Sequence, residues 1–382
     1  MTETTIIPIV DLNSQYLRLK QEIEPAVLQV LEKGNFIQGK EVQDFAAALS
    51  VFTGSEFTIP CANGTDALQL AYMALDLKPG DEILVPSFNY VAAAEAAVLL
   101  GLKPVFCEVD QGTFNLDPEK LGAHIGPKTK AIVAVHLFGQ ACPMEKLVSI
   151  CESHKLYLIE DNAQAIGAEI RDCKFAGRKL GTIGDVGTTS FFPSKNLGAM
   201  GDGGALFCQD PELAAKIRMI ANHGQKVKYQ YEAIGANSRL DTVQAAILLV
   251  KLRHLPAFTK ARQEAAIRYD ETLAELNGVS VPERAVNSTH VFHQYTLTFQ
   301  DPDLRNQVKD VLHQEGIQTM IYYPKPLHLH QAYFSFGQGK GSLPVSEWLS
   351  ERVLSLPMHT ELSPDQQKRI VGSIREFIAK NT

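Results

Sequence analysis

The sequence predicts an α/β protein, with a largely parallel sheet wrapped by helices and a long helix leading into a smaller α+β region. Three observations carry this reading. From Thr58 to about Asn222, short apolar strand-like runs alternate with helix-like runs, as a parallel sheet with crossover helices requires. From Thr242 to about Leu276 the pattern turns helical and amphipathic. Beyond it, strand-like His293 to Phe299 is followed by helical Asp303 to Glu315. A chain of 382 residues, 45% of them hydrophobic, is long enough to bury one large core and one smaller one. The expected division is a large domain over 1–250 and a small one over 251–382.

The strand candidates are, in order, Glu82 to Pro86, Pro104 to Val109, Lys130 to His136, Leu156 to Glu160, Gly187 to Phe192 and Ala205 to Cys208. Tyr90 to Leu100 and Pro143 to His154 read as helices between them. In open sheets of this type ligands collect at the carboxyl ends of the strands, so the strand ends are where site residues are sought.

Bulk properties exclude several classes. Met1 to Val10 has no basic segment and its apolar run ends at Asp11, so no targeting signal is read there and a cytoplasmic location is expected. The longest apolar stretches, Val243 to Val250 and the run from Tyr90 to Leu100 that Glu95 interrupts, are far shorter than the roughly 20 residues that span a bilayer. No membrane partner is expected. A formal charge of −7 argues against nucleic acid, whose phosphates call for a basic face, and any anionic ligand must be held locally. The six cysteines include no Cys-x-x-Cys pair, which reads as reduced buried thiols, without disulfides or zinc.

Four local segments stand out. Gly64 and Thr65 open a helix with Ala67, Ala71 and Leu75 on one face, and the free N–H groups there suit a phosphate or merely an ordinary cap. The strand Leu156-Tyr-Leu-Ile ends in Glu160 and Asp161, with Gln164 close behind. A carboxylate at that strand end either meets a buried cation or caps the next helix. A third strand runs into Ser190, Pro193, Ser194 and Lys195 and then a glycine-rich stretch. Lys195 is a candidate Schiff-base former, since desolvation lowers an amine toward neutrality, the alternative being a surface lysine. Finally Asn237 and Arg239 precede a helix rich in small residues, where the guanidinium fork suits a carboxylate or phosphate, or a plain surface ion pair.

Gly-Thr, Glu-Asp-x-Ala-Gln, Ser-Phe-Phe-Pro-Ser-Lys and Asn-x-Arg-Leu-Asp, in this order, resemble the fold-type-I pyridoxal-phosphate (PLP) enzymes of the DegT/DnrJ/EryC1/StrS nucleotide-sugar aminotransferase family. The likeness runs from Val10-Asp-Leu to Leu356-Pro-Met-His. It implies a large, mostly parallel seven-stranded sheet sandwiched by helices, plus a smaller C-terminal α+β domain. It also implies that Lys195 holds PLP and serves as catalytic base, that Asp161 pairs with the ring nitrogen, that Gln164 lies near the ring hydroxyl, and that Phe88 stacks on the ring. Gly64, Thr65 and Ser190 would hold the phosphate, and Asn237 would reach it from the neighbouring subunit of a homodimer with shared active sites. The details are most similar to the branch acting on UDP-2-acetamido-2-deoxy-3-oxo-glucuronate, with L-glutamate as amino donor. That branch implies substrate contacts at Gly34, Phe36, Ser194, Arg239, Tyr322 and Tyr323, although it more often has histidine at the Tyr322 position and commonly tyrosine at that of Phe36.

The alternatives are a dTDP-linked 3-keto or 4-keto-6-deoxysugar substrate, a dehydratase or epimerase of the same ancestry, and a non-catalytic regulatory relative. Related dehydratases carry histidine in place of the lysine, and this chain keeps both Lys195 and Asp161. His328 and His330, two apart, face one way on an extended chain but have no third ligand nearby in sequence, so no metal is expected. Lys226 and Lys228 read as a solvated loop, and Trp348 as a packing residue at helical spacing from Arg352.

Overall fold

A computed structural model describes residues 6–381; the first five residues of the Met1 to Val10 segment and Thr382 lie outside the described residues. Two helices come first, α1 (Leu12–Lys33) and α2 (Lys40–Thr53). The Asp11 carboxylate caps α1 through the Ser14 N–H, and Gly34 ends it in the left-handed region at φ 67°, which suits a residue without Cβ.

The large sheet has seven strands: β1 (Phe57–Cys61), β2 (Glu82–Pro86), β3 (Lys103–Cys107), β4 (Thr129–Val135), β5 (Tyr157–Asp161), β6 (Val186–Ser190) and β7 (Gly204–Cys208). Their order is β1-β7-β6-β5-β4-β2-β3. Only β7 runs against the rest, being antiparallel to both β1 and β6. The six strand candidates therefore match observed strands to within two residues at each end, and the helices at Tyr90 to Leu100 and Pro143 to His154 form as Ala92–Leu99 and Met144–His154.

β1 was not among the strand candidates. Its short run contains Pro60, which weighs against a strand, and the sheet accepts it because β1 is an edge strand paired only with β7. Antiparallel β7 turns β1 back into line with β6, so the ends of β1, β2, β4, β5 and β6 open on one edge of the sheet. Helices α3 (Gly64–Ala74) and α4 (Ala92–Leu99) pack there through buried alanines, including Ala67, Ala71, Ala93, Ala96 and Ala97. Small side chains let these helices lie close to the sheet, and the residues at their starts come near the strand ends.

The long helix forms over Thr242–Leu273, continuous through Pro256. The boundary expected at residue 250 falls inside it: residues as far as Phe258 belong to the core with α1 and α2, and Ala265 onward to the core of the small region. That region holds the antiparallel strands Val279–Ser280, Tyr295–Phe299 and Val353–Leu356, covered by helices Pro302–Gln314 and Pro364–Asn381. The strand expected from His293 begins at Tyr295 instead, because the chain first crosses to the large unit, where the Gln294 N–H donates to the Phe138 carbonyl. Among the described residues no helix is long and apolar enough to cross a membrane. All six cysteines are free thiols, and Cys173 alone among them is exposed.

Candidate active site

The carboxyl edge of the sheet gathers the strand-end residues. Asp161 is the last residue of β5, paired across to Val135 and Thr188. It is buried, and its Oδ1 accepts from the Ala163 N–H at 3.0 Å. Burial pushes its carboxyl above the ordinary range, opposed by that N–H and by the charge of nearby Lys195. Lys195 lies in the loop after β6, where its own N–H closes a turn on the Phe192 carbonyl at 2.8 Å. Burial brings its amine down from 10.5 to about 8, with the Asp161 charge pulling the other way. A carboxylate and an amine thus share one water-poor corner, which is what activation of a nucleophilic lysine requires.

The next residue, Asn196, latches this loop to the small region: its Nδ2 donates to the Val291 carbonyl at 3.0 Å, and its Oδ1 faces His293 Nδ1 at 3.2 Å. Gln164 accepts from the Phe138 N–H at 2.8 Å and offers its Nε2 to the Tyr323 hydroxyl at 3.3 Å. Phe88 is fully buried, with Tyr323 edge-on at 6.1 Å between ring centres and Phe114 on another side at 6.1 Å. Phe88, Phe114 and Tyr323 thus form an aromatic wall, with the Tyr323 hydroxyl close enough to feel the Asp161 charge.

At the adjoining corner, Cys61, Gly204 and Ser190 stand in register across β1, β7 and β6. The Asn63 side chain caps α3 at the Asp66 N–H, 2.8 Å away, while the N–H groups of Gly64 and Thr65 have no partner among the described residues. This corner is closely built: a Cβ at Gly64 would lie 2.7 Å from the Ser190 Cβ, and one at Gly204 would lie 2.5 Å from the Asn63 carbonyl. Gly64→Ala is therefore expected to push the start of α3 off Ser190 and weaken phosphate binding by about tenfold or more, the equivalent of one lost charge-assisted hydrogen bond. A PLP titration checks this, and an unchanged dissociation constant would remove this corner from the phosphate site.

Glu160 points away from Asp161 and serves the fold. Its oxygens accept from the N–H groups of Gly181, Ile183 and Gly184 at 2.8, 2.6 and 2.7 Å, and from His136 Nε2 at 2.9 Å. His136 Nδ1 accepts from the Cys142 N–H, so Nε2 carries the proton. Burial opposes the Glu160 charge, but the His136 contact and the N–H groups outweigh it and hold the carboxyl below its ordinary 4.5. This group therefore adds stability in full above the unfolded value of 4.5, and that stability is lost as pH falls through the lower folded value. Glu160→Ala is expected to cost about 3–5 kcal/mol, as for a broken buried pair. Denaturant unfolding at neutral pH checks this, and a loss under about 1 kcal/mol would contradict it.

The other expected site residues lie further out. Ser194 is half-buried beside Lys195. Gly34 is the exposed cap of α1, and Phe36 is 46% exposed, its carbonyl accepting from the Thr242 N–H at 2.9 Å. Arg239 has no hydrogen-bond or ion-pair partner among the described residues and lines a groove of about 730 Å³ with Gln38, Arg218 and Lys226, a groove that includes neither Lys195 nor Asp161. Asn237 is exposed, while the neighbouring Ser238 Oγ accepts from the Ala62 N–H at 3.1 Å. One chain thus brings together Lys195, Asp161, Gln164, Phe88 and Tyr323, with the Gly64 corner beside them, and leaves Arg239 in a separate groove and Asn237 exposed on the surface. Lys226 pairs with Glu232 at 2.8 Å, and the Arg352 guanidinium covers the Trp348 ring at 4.9 Å.

The model of the DegT/DnrJ/EryC1/StrS aminotransferase family matches residues 17–375. The chain belongs to this family. Among relatives of this aminotransferase, a protein named pleiotropic regulatory protein from Geobacillus stearothermophilus is 43% identical over 97% of this chain and 98% of its own. The UDP-N-acetyl-3-dehydro-alpha-D-glucosamine 3-aminotransferase of Acidithiobacillus ferrooxidans is 43% identical over 99% and 100%. The UDP-2-acetamido-2-deoxy-3-oxo-D-glucuronate aminotransferase of Pseudomonas aeruginosa is 42% identical over 97% and 99%. The crystal structure of S. venezuelae DesV superposes with a TM-score of 0.94 at 38% identity, over 98% of this chain and 99% of that one.

The aminotransferase is a PLP-dependent transaminase, and its residues fit that cofactor. The unpartnered N–H groups at the start of α3 offer a phosphate corner, the depressed Lys195 amine a point of attachment, and buried Asp161 a counter-charge. Sequence reasoning missed the Asn196 latch and the Glu160–His136 pair. The partners are 97 residues apart in the first and 24 in the second, so no local pattern signals either.

Proposed function

We propose that this aminotransferase moves an amino group from L-glutamate to the C3 ketone of a UDP-linked sugar, UDP-2-acetamido-2-deoxy-3-oxo-glucuronate, for surface polysaccharide biosynthesis in the cytoplasm. The observation that carries the chemistry is half-buried Lys195, in the loop after β6, beside the buried Asp161 that closes β5. Support for the sugar comes from the two relatives named for UDP-linked 3-keto sugars, one a uronate and one not. Unpartnered Arg239 suits the uronate carboxylate or the diphosphate.

Bound PLP supplies a cationic ring that accepts electrons from the carbon being deprotonated. Around it, Lys195 Nζ would hold the cofactor and serve as the base that moves a proton at the donor's α-carbon. Asp161 keeps the ring nitrogen protonated. Phe88 and Tyr323 would wall the ring and keep out water, Gln164 would meet the ring hydroxyl, and Gly64, Thr65 and Ser190 would hold the phosphate. Gly34, Phe36, Ser194, Arg239 and Tyr322 serve the sugar nucleotide.

The same reading divides the chain into a large and a small domain, expected as 1–250 and 251–382 but meeting within the long helix between Phe258 and Ala265, and makes the enzyme a homodimer. In the dimer exposed Asn237 completes the partner's site. Exposed Phe36, Ile37, Tyr229, Tyr231 and Ile234 support such an interface.

A second reading, a regulatory role, draws on the name of the Geobacillus relative, and the intact Lys195–Asp161 pair speaks against it. The deciding experiment adds glutamate and then the UDP-linked 3-keto uronate to the PLP-loaded protein, with absorption and mass spectrometry as readouts. Formation of 2-oxoglutarate followed by the 3-amino sugar is expected. If 2-oxoglutarate does not form, the regulatory reading takes over; if the first half proceeds and the uronate is refused, the sugar is wrong.

A further inference from the structure

A buried relay lies one residue from Phe88. The Ser87 Oγ is 2.7 Å from His328 Nδ1, and His328 Nε2 is 3.2 Å from Glu347 Oε1. Ser87 and His328 are both completely buried. A carboxylate only accepts, so Nε2 carries a proton, and in the neutral imidazole Nδ1 accepts from the Ser87 hydroxyl. The backbone doubles the joint: the Leu327 N–H donates to the Ser87 carbonyl at 2.9 Å and the His328 N–H to the Ser87 Oγ at 3.3 Å.

Glu347 is itself fixed. Its Oε1 also accepts from the Gly341 N–H at 2.7 Å. Its helix, Pro344–Arg352, is held at the start by Glu108, which accepts from the Val345 and Ser346 N–H groups at 2.8 Å each and from the Ser346 hydroxyl at 2.6 Å.

Serine, histidine and glutamate also compose nucleophilic relays. Here the serine is sealed from any substrate, so the constellation works on its neighbours. On one side of the joint, Phe88 follows Ser87. On the other, Tyr323 precedes His328 by five residues, and its ring meets Phe88 edge-on at 6.1 Å while its hydroxyl takes the Gln164 Nε2 hydrogen at 3.3 Å.

We propose that Ser87 and His328 are positioning residues that pin the Tyr322–Tyr323 segment to the Phe88 turn and so set the aromatic cleft for the cofactor ring. This rests on the placement of the ring against Phe88 given above. It also gives His328 a task that neither a metal site nor plain packing describes.

The test compares Ser87→Ala and His328→Leu with two conservative variants. Ser87→Thr keeps the hydroxyl, and His328→Asn offers Oδ1 in the acceptor place of Nδ1. The readouts are the PLP dissociation constant, the visible circular dichroism of the bound cofactor, and kcat against KM, with far-UV dichroism confirming the fold. Ser87→Ala and His328→Leu are expected to weaken PLP by about tenfold, dim the visible dichroism and lower kcat more than they raise KM, whereas the conservative pair stays within about threefold of wild type.

Glu347→Ala removes a side chain that is 14% exposed and leaves Ser87 and His328 themselves in place, so it serves if a variant of either does not fold; PLP weakened by about threefold is expected. Folded variants whose visible dichroism and PLP affinity equal those of wild type would overturn the proposal. A wild-type protein that shows no cofactor band would overturn the functional reading, and this one with it.

Discussion

Lys195→Ala is expected to abolish turnover, with kcat falling by about 10⁴-fold or more, because one side chain supplies both the attachment and the proton carrier and no neighbour replaces it. Burial lowers the Lys195 amine to about 8, so near neutral pH a useful fraction is uncharged and nucleophilic. Lys251, whose amine burial also lowers to about 8, lies within the long helix and is not one of the strand-end residues. Borohydride treatment of the PLP-loaded wild type should fix the cofactor on the peptide containing Lys195, and the variant should bind PLP without being labelled. A variant that still cycles, or a label on another lysine, would mean that a different amine does the work.

Asp161→Asn is expected to retain PLP in part and lose turnover by about 10²–10³-fold, the scale of a removed preorganised charge at a developing one. The amide keeps the size and the contact with the Ala163 N–H, yet it cannot hold the ring nitrogen charged. A second consequence needs no cofactor. Asp161 supplies the charge that raises the Lys195 amine against burial, so in the variant this amine should titrate below about 8. The pH profile of Lys195 labelling by trinitrobenzenesulfonate on cofactor-free protein measures it. An unmoved profile would place the two side chains too far apart to interact, and near-normal turnover would remove Asp161 from the mechanism.

Much of this site was legible along the chain because its chemistry sits at strand ends. A parallel strand announces itself as an apolar run, and the polar residue that closes it, Asp161 at the end of β5 or Ser190 at the end of β6, lies at the sheet edge by geometry alone. β1 was hidden because Pro60 breaks the rule for central strands, and only the pairing shows that its other side is open. The edge-on meeting of Phe88 with Tyr323, and the bond from Gln164 to the Tyr323 hydroxyl, join residues 235 and 159 positions apart, beyond any local periodicity.

The sequence by itself determined the α/β class, the strand-end lysine and aspartate, and the family with its cofactor. These depend on local runs and on motifs whose order along the chain is their signature. Only the tertiary structure decided which residues share a corner. It turned Glu160 away from Asp161 toward His136, left Arg239 in a groove apart from Lys195, and joined His328 to Ser87 across 241 positions. The physical reason is that successive strand residues point to opposite faces, and buried polar groups must find partners wherever the packed chain brings them.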